Sequence, residues 1–374
     1  MGVGLSADMT RPNGYLSFIR ENHDFRYLWV GQIISNLGDW FNLIASASLV
    51  ASLTESGLAV GGLFVIRTLA PFFASPIGGV IADRYNRRNV LIITDLLRVI
   101  VMLGFLLVRE PGDVWLLYTL TGIQLFMSGI FYPTRTAILP DIVPEQGIGI
   151  ANAISGATFS AMLAIGSGLG GLVVGTIGIY PAFIIDAFTF LLSAVFIAQV
   201  AFKPRQQGVR KRTLGAVLPE YLDGLRYMKQ HPYLLAITSH KAFVGLLLGS
   251  TFEIVQVAIA KEVFTAGEGG SLSLGMMFFF AGVGLGVGPL VARRFSKDRR
   301  RYTVWNITIG YFLGGLGLAL TAMLTNYSLI LLGAFLRGVG NGMVWLFRQN
   351  WSCNWFQPMC AAVLWGLNLL FRCW

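Results

Sequence analysis

The sequence is poor in charged residues, and this excludes most classes of soluble protein. Asp, Glu, Lys and Arg make up 12% of its 374 residues, whereas soluble domains carry about 25%. Hydrophobic residues account for 55%, and the mean hydropathy is +0.66. The 45 glycines agree with this, because helices packed within lipid use small residues to approach closely. The composition therefore predicts an integral membrane protein.

Cysteine and histidine are also scarce, which argues against disulfide, metal and hydrolytic chemistry. Cys353, Cys360 and Cys373 all lie in the last 22 residues, so no disulfide framework is expected. The three histidines lack metal-ligand spacing. The sequence contains neither a phosphate-binding GxxxxGK(S/T) motif nor a GxSxG nucleophile motif. We therefore expect no enzyme activity, no bound metal and no cofactor.

Ten hydrophobic runs are long enough to cross a membrane, which takes about 20 apolar residues per helix. Their continuity and length favour helices over the alternating strands of a membrane barrel. The runs occupy residues 27–53, 59–82, 90–108, 114–133, 150–176, 179–201, 233–259, 272–292, 303–324 and 327–347. The sequence thus predicts an all-α fold of about ten transmembrane helices.

The loops between the runs carry a strongly uneven charge. With the N-terminus inside, the cytoplasmic side holds 20 Lys and Arg residues, Arg135 among them, and the opposite side holds only Arg109 and Lys261. Such a bias is typical of cytoplasmic loops. It predicts a multi-pass protein of the cell (inner) membrane with a cytoplasmic N-terminus. The net charge of +10 is then a topology signal, and no nucleic-acid partner is expected.

A polar interruption divides the runs into six and four. We expect a cytoplasmic N-terminus at 1–26, a six-helix bundle at 27–201, a linker at 202–232 and an incomplete four-helix bundle at 233–347. The linker contains an amphipathic stretch from Pro219 to His231, typical of a helix at the membrane surface. Gly79 and Gly288 end similar runs 209 positions apart. Two parallel halves of this kind form one large transporter architecture.

A charged motif lies in the turn after the second run. It reads Gly79-xxx-Asp83-Arg84-xx-Arg87-Arg88, and we call it the gate motif. Its glycine permits close helix approach, and its carboxylate beside three arginines suits a charge-paired cytoplasmic gate. Asp95 and Arg98, one helical turn apart in the third run, are expected to join the charges around Asp83.

The gate motif resembles the loop signature of the major facilitator superfamily. Further stretches are similar to the subgroup of enterobactin exporters and macrolide efflux proteins. They are Phe25-Arg26-xx-Trp29, Ser35-xx-Gly38-Asp39-Trp40, Arg67-xxx-Pro71, Asp95-xx-Arg98, Leu139-Pro140-Asp141-x-Val143-Pro144-Glu145 and Ala151-Asn152-Ala153. The resemblance implies a twelve-helix fold of two parallel six-helix halves and proton-driven export of drugs or siderophores.

The resemblance is incomplete at two places. Exporting facilitators often carry Gly-Pro-xx-Gly-Gly in the fifth span, where this sequence keeps a glycine face without the proline. That face consists of Gly166, Gly168, Gly170 and Gly171. In addition, ten of the twelve expected helices are present.

Charged residues inside the runs are candidates for function, because each costs about 2.5–3.5 kcal/mol to insert. Asp39 lies about 12 residues into the first run, near the membrane midplane, and could take up a proton. Arg67 reaches a comparable depth, so a fixed Asp39–Arg67 ion pair is the alternative. Glu253 and Lys241 in the seventh run are further candidates for coupling or substrate binding.

The resemblance ends near residue 345, and residues 348–374 form an atypical tail with all three cysteines and four of the nine tryptophans. Shifting the reading frame of a back-translated tail permits a product that resembles the family's eleventh helix. We therefore expect a frameshift and a C-terminally truncated transporter. A divergent tail is the alternative, and the nucleotide sequence after codon 347 distinguishes the two.

These features predict a secondary active transporter that exports small amphiphilic compounds by alternating access. Its expected partners are a small-molecule substrate, a proton or other coupling ion, and the lipid bilayer. Two alternatives stay open: a non-transporting membrane protein such as a sensor or lipid-interacting scaffold, and a truncated copy without function.

Overall fold

The computed structural model describes residues 15–54, 56–201, 226, 229–230, 232, 251–296 and 300–360. Within these ranges the chain is helical and contains no strand. The helices are α1 Tyr15–Glu21, α2 His23–Leu53, α3 Gly57–Arg84, α4 Arg87–Gly104, α5 Val114–Ile142, α6 Ile148–Thr176, α7 Ile179–Ala198, α8 Thr251–Glu262, α9 Ser271–Ser296, α10 Arg300–Ala322 and α11 Tyr327–Cys360. The predicted all-α membrane fold is confirmed. In the described ranges the long helices α2–α7 are followed by the 12-residue α8 and the long helices α9–α11, and most of the seventh predicted run lies outside these ranges.

Eight helical segments in the described ranges are long and apolar enough to cross a membrane. They correspond to α3–α7 and α9–α11. Helix α2 has 31 residues but is not among the eight, because it carries many polar side chains. Gln32, Ser35, Asn36 and Asn42 are each less than 5% exposed, so this polar face of α2 packs inside the bundle.

Helix α5 is longer than the sequence predicts. The run was expected to end at residue 133, but the helix continues through Pro133 and Pro140 to Ile142. Arg135, expected in a cytoplasmic loop, is therefore inside the bundle and only 3% exposed. Its Nη2 donates to Gln32 Oε1 and Ser155 Oγ, so part of the guanidinium is bonded inside the bundle, although a position in water was predicted.

The six helices α2–α7 pack as one bundle. Helix α2 contacts α6 and α7, α3 contacts α5, and α4 contacts α5 and α7. Phe105 and Phe183 stack at 4.6 Å between ring centroids in its largest apolar core. In the second half, α9 and α10 both pack on α11. Glycines permit this packing, since a Cβ on Gly338 would lie 2.1 Å from the Ala281 carbonyl oxygen.

We call the end of the bundle that carries the α3–α4 turn and the gate motif the basic end, and the other end the distal end. The two halves meet at the distal end, where α6 packs on α9. A Cβ on Gly171 would lie 2.6 Å from Gly275 Cα. Lys261 Nζ of α8 donates to the carbonyl oxygens of Ala51 and, at 3.0 Å, of Thr54. It thereby binds the free carbonyls at the end of α2.

Toward the basic end this contact between α6 and α9 stops. A Cβ on Gly282 would still lie 2.5 Å from the Ala164 nitrogen near the middle of α6. Closer to the basic end, a Cβ on Gly156 of α6 or Gly286 of α9 would meet nothing within 4 Å. Helices α6 and α9 are therefore in close contact at the distal end and separate toward the basic end.

The glycine contact predicts opposite effects of one substitution at two positions of α6. Gly171→Ala forces a Cβ against the Gly275 backbone, and overpacking of this kind costs about 1–3 kcal/mol. Gly156→Ala meets open space and should be neutral or stabilising by up to about 1 kcal/mol, because alanine favours helix. Thermal unfolding of the purified protein in detergent checks both. Equal melting temperatures for the two variants would contradict the packing described.

Candidate transport site and gate

Asp39 lies in the middle of α2 at the centre of a polar cluster. Gln124 Nε2 of α5 donates to Asp39 Oδ1 at 3.0 Å. The Tyr132 hydroxyl, also on α5, lies 3.4 Å from Asp39 Oδ2 and 3.4 Å from Asn36 Oδ1. Asp39 is only partly buried. Its carboxylate therefore has two polar neighbours and is still accessible.

Arg67 does not form a contact ion pair with Asp39 in the described structure, where the ion pairs within 4 Å involve other residues. Its guanidinium interacts most strongly with Glu253 of α8 and next with Asp39. Its Nη1 is buried without a hydrogen-bond partner. The charges of two carboxylates, one from each half, therefore act on Arg67, and no Asp39–Arg67 contact pair is formed among the described residues.

Glu253 brings the second half into this region. It interacts electrostatically with Arg67 of α3 and Arg337 of α11. The Arg337 guanidinium also lies 3.8 Å from the ring centroid of Phe252. Arg337 had no predicted role, because nothing in the sequence relates α11 to residue 253. Lys241, the fourth candidate, lies outside the described residues, as do most of the linker and its amphipathic stretch.

Asp95 and Arg98 lie deeper than the sequence predicts. Arg98 Nη1 is 3.2 Å from Asp95 Oδ1, and the two side chains are at most 1% exposed. The Ser193 hydroxyl donates to Asp95 Oδ2 at 2.8 Å. The Arg98 guanidinium lies 4.7 Å and 5.1 Å from the ring centroids of Phe131 and Phe190. The pair therefore belongs to the bundle core and not to the charges around Asp83, because these partners hold it there.

The gate motif makes its main contact with α5. Arg87 Nη1 donates to Asp141 Oδ2 at 2.6 Å and to the Ala137 carbonyl oxygen at 3.0 Å, whereas Asp83 lies 3.9 Å away. Arg88 donates to the carbonyl oxygen of Ala198 at the end of α7. Asp141 was missed as a gate residue, because it is 54 positions from Arg87.

The remaining gate residues have smaller roles in the described contacts. Arg84 is exposed, and Gly79 is partly buried. The close helix approach expected of Gly79 is made by its neighbour Gly78, where a Cβ would lie 2.7 Å from the Gly129 carbonyl oxygen. The motif therefore ties α3, α4, α5 and α7 together at the basic end.

The four glycines of the predicted glycine face point to two different helices. Gly166 and Gly170 pack on α2, where an added Cβ would lie 2.9 Å from Trp40 and 3.1 Å from Phe41. Gly168 and Gly171 pack on α9, at 3.1 Å from Phe279 and 2.6 Å from Gly275. Helix α6 thus joins the polar helix α2 to the other half of the molecule.

Comparison with known proteins adds the family context. The sequence model of the Major Facilitator Superfamily matches residues 28–373, so the match extends past residue 345, where the resemblance was expected to end. YfiS of Bacillus subtilis (strain 168), an uncharacterized MFS-type transporter, is 26% identical over 323 residues, which cover 85% of this chain and 75% of that protein.

Two further relatives carry functional names. The putative bacilysin exporter BacE of Bacillus subtilis (strain 168) is 24% identical over 260 residues, which cover 69% of this chain and 63% of BacE. The multidrug efflux pump Tap of Mycolicibacterium fortuitum is 25% identical over 287 residues, which cover 74% of this chain and 69% of Tap.

Solved structures share the fold at low sequence identity. An auto-inhibited POT family peptide transporter matches with a TM-score of 0.59 at 12% identity, and the match covers 88% of this chain and 82% of the transporter chain. A D-xylose-proton symporter matches with a TM-score of 0.58 at 14% identity, and the match covers 95% of this chain and 97% of the symporter chain. These similarities establish the architecture alone.

The gate contacts predict that Asp141 matters more than Asp83. Asp141→Asn removes the charged partner of Arg87 at 2.6 Å and should lower stability by about 1.5–3 kcal/mol, as for hydrogen bonds to charged groups. Asp83→Asn removes a carboxylate at 3.9 Å that is one-third exposed and should cost less than about 1 kcal/mol. Thermal unfolding of the two purified variants tests the order. A larger loss for Asp83→Asn would refute the assignment of Asp141 as the main partner.

Proposed function

Because the chain belongs to the Major Facilitator Superfamily, we propose that it exports small amphiphilic compounds across the cell membrane in exchange for protons. The chain is a multi-pass membrane transporter and not an enzyme. The finer proposal concerns the substrate class, the coupling ion and the direction. Relatives named as an exporter and as a multidrug efflux pump support the direction.

The position of Asp39 carries the proton part of the proposal. Its carboxylate is partly exposed at the middle of a membrane-embedded helix, with Gln124 and Tyr132 as hydrogen-bond partners. Ionisable groups at this depth are costly and mark ion pathways and proton relays. Such a carboxylate has hydrogen-bond donors and is accessible. It is therefore able to gain and lose a proton during the transport cycle.

Charge and aromatic surface near the boundary of the two halves support an amphiphilic substrate. Arg67 and Glu253 belong to different halves and interact electrostatically. Trp40 of α2 and Phe278 of α9 also meet across the boundary, at 6.1 Å between ring centroids. A ligand between the halves would therefore meet aromatic faces together with fixed charges of both signs.

The contrast between the two ends supports alternating access. The distal end is held by Lys261 and the Gly171–Gly275 contact, whereas α6 and α9 separate toward the basic end. With a cytoplasmic N-terminus, as the loop charges favour, this arrangement opens toward the cytoplasm. Gly79, Asp83, Arg84, Arg87 and Arg88 would then form the cytoplasmic gate, reinforced by Asp141.

Replacing Asp39 by the neutral isostere Asn should abolish proton-driven transport. Proteoliposomes with an imposed proton gradient and a panel of ethidium, rhodamine and a dansylated dipeptide measure the flux. We expect gradient-dependent flux in the unmodified chain and only background flux in Asp39→Asn, because the variant has no carboxylate to protonate. Glu262→Gln, at the exposed end of α8, is the matched control and should keep full flux.

Two outcomes would contradict this function. Unchanged proton dependence in Asp39→Asn would remove that residue from coupling. The absence of gradient-dependent flux for the whole panel in the unmodified chain would reject proton-driven amphiphile export.

A further inference from the structure

Asp186 is a buried carboxylate that the proposed transport cycle does not use. It is the eighth residue of the 20-residue helix α7 and is 0% exposed. An ionised carboxylate in such a place is very unfavourable unless a cation or several donors compensate for the lost water. The contacts of Asp186 therefore decide which form it takes.

The carboxylate has little hydrogen-bond support. The Thr189 hydroxyl lies 3.2 Å from Asp186 Oδ1, but it also lies 2.8 Å from the Asp186 carbonyl oxygen, so its single proton is shared. Asp186 Oδ2 is buried and has no hydrogen-bond partner among the described residues. Asp39, by comparison, is partly exposed and accepts a hydrogen bond from Gln124 Nε2 at 3.0 Å, while the Tyr132 hydroxyl is shared between its second oxygen and Asn36.

Asp186 contacts helix α2 next to Asp39. A Cβ on Gly38 would lie 2.1 Å from Asp186 Oδ1 and equally close to the Thr189 hydroxyl. Only glycine fits at this position, since any side chain would overlap the carboxyl group. The absence of a Cβ at residue 38 therefore places the Asp186 carboxyl against the α2 backbone, at the residue that precedes Asp39.

The charges around Asp186 are mostly of its own sign. Helix α2 contributes Asp39, and helix α4 contributes Asp95 and Arg98, while helix α6 contains no charged residue. Arg98 is already 3.2 Å from Asp95 and lies between two aromatic rings. Arg67 of α3 is a more remote cation. Three carboxylates thus share one nearby arginine, and that arginine is bound to Asp95.

We propose that Asp186 is a second proton-binding site, which holds a proton in this state and exchanges it with Asp39. The exchange is a transfer from one carboxyl group to the other: the acid form of Asp39 gives its proton to the Asp186 carboxylate, and the reverse step returns it. Hydrogen bonds and contact with solvent favour the charged form of a carboxylate, so Asp39, which is partly exposed and bonded by Gln124, is the ionised member here. Asp186, without a compensating cation, is the neutral one.

This inference rests on the proposed proton exchange but adds a buried store to it. Asp39 is partly exposed, whereas Asp186 is fully buried. The proton therefore enters and leaves the pair through Asp39. Two interacting carboxyl groups titrate as a pair rather than as independent residues. The dependence of transport on pH is then a property of both residues.

Infrared spectroscopy of the purified chain tests the proposal without a substrate. We expect the unmodified protein at neutral pH to show a protonated-carboxyl carbonyl band that Asp186→Asn removes. Thr189→Val keeps the carboxyl group and should shift this band, because it deletes the shared hydroxyl donor. Glu262→Gln should leave the band unchanged. Melting temperatures show which variants are folded.

Transport separates this inference from the proposed function. If Asp186→Asn removes the band but no proton-driven flux exists in the unmodified chain, the buried proton stands and the export proposal fails. If flux is proton-driven and folded Asp186→Asn keeps both the band and the unchanged pH profile, the second site is overturned. A band that is absent from the unmodified protein, or that does not move in Thr189→Val, also overturns it.

Discussion

Inside a bilayer no water is available to satisfy a polar group, so each buried charge must find its partner within the protein. Three arginines of the first half show how strongly this requirement shapes the bundle. Arg135 joins α5 to α2 and α6 through Gln32 and Ser155. Arg98 pairs with Asp95 of its own helix, whose carboxylate accepts a hydrogen bond from Ser193 of α7, and Arg87 joins α4 to α5. Separating these helices would take hydrogen-bond or ionic partners away from buried charged side chains, and that penalty helps to hold the bundle together.

The contact between the halves is built differently. At the distal end glycine packs against backbone at Gly171 and Gly275, and the polar contact described there is the bond of Lys261 to the end of α2, so separation leaves few polar groups without a partner. The charges at the boundary, Arg67 and Glu253, interact without a contact ion pair within 4 Å among the described residues. Strongly bonded bundles joined by a weakly bonded interface suit a transporter whose halves rock against each other.

Apolar runs and their lengths predicted the all-α membrane class, because membrane insertion depends on composition over about 20 residues. The apolar runs predicted the end of α5 too early, because Pro133 and Arg135 are residue types common in loops. The helix continues to Ile142, and the contacts of Arg135 with Gln32 and Ser155 explain why. The sequence placed Asp95 and Arg98 one helical turn apart but assigned them to the charges around Asp83 and not to the buried pair that they form. The partners Asp141, Arg337 and Asp186 depend on neighbouring helices that a single sequence does not relate. The roles of Asp39, Arg67, Glu253 and Lys241 stay predictions.

The bond between Lys261 and the end of α2 has a genetic consequence. Its acceptors are the backbone carbonyls of Ala51 and Thr54, and every amino acid carries a carbonyl. Substitutions in the acceptor segment therefore leave the acceptors in place, whereas the donor depends on one lysine codon. Natural variation is thus able to adjust how firmly the distal end is held by changing a single position in one half, without a matching change in the other.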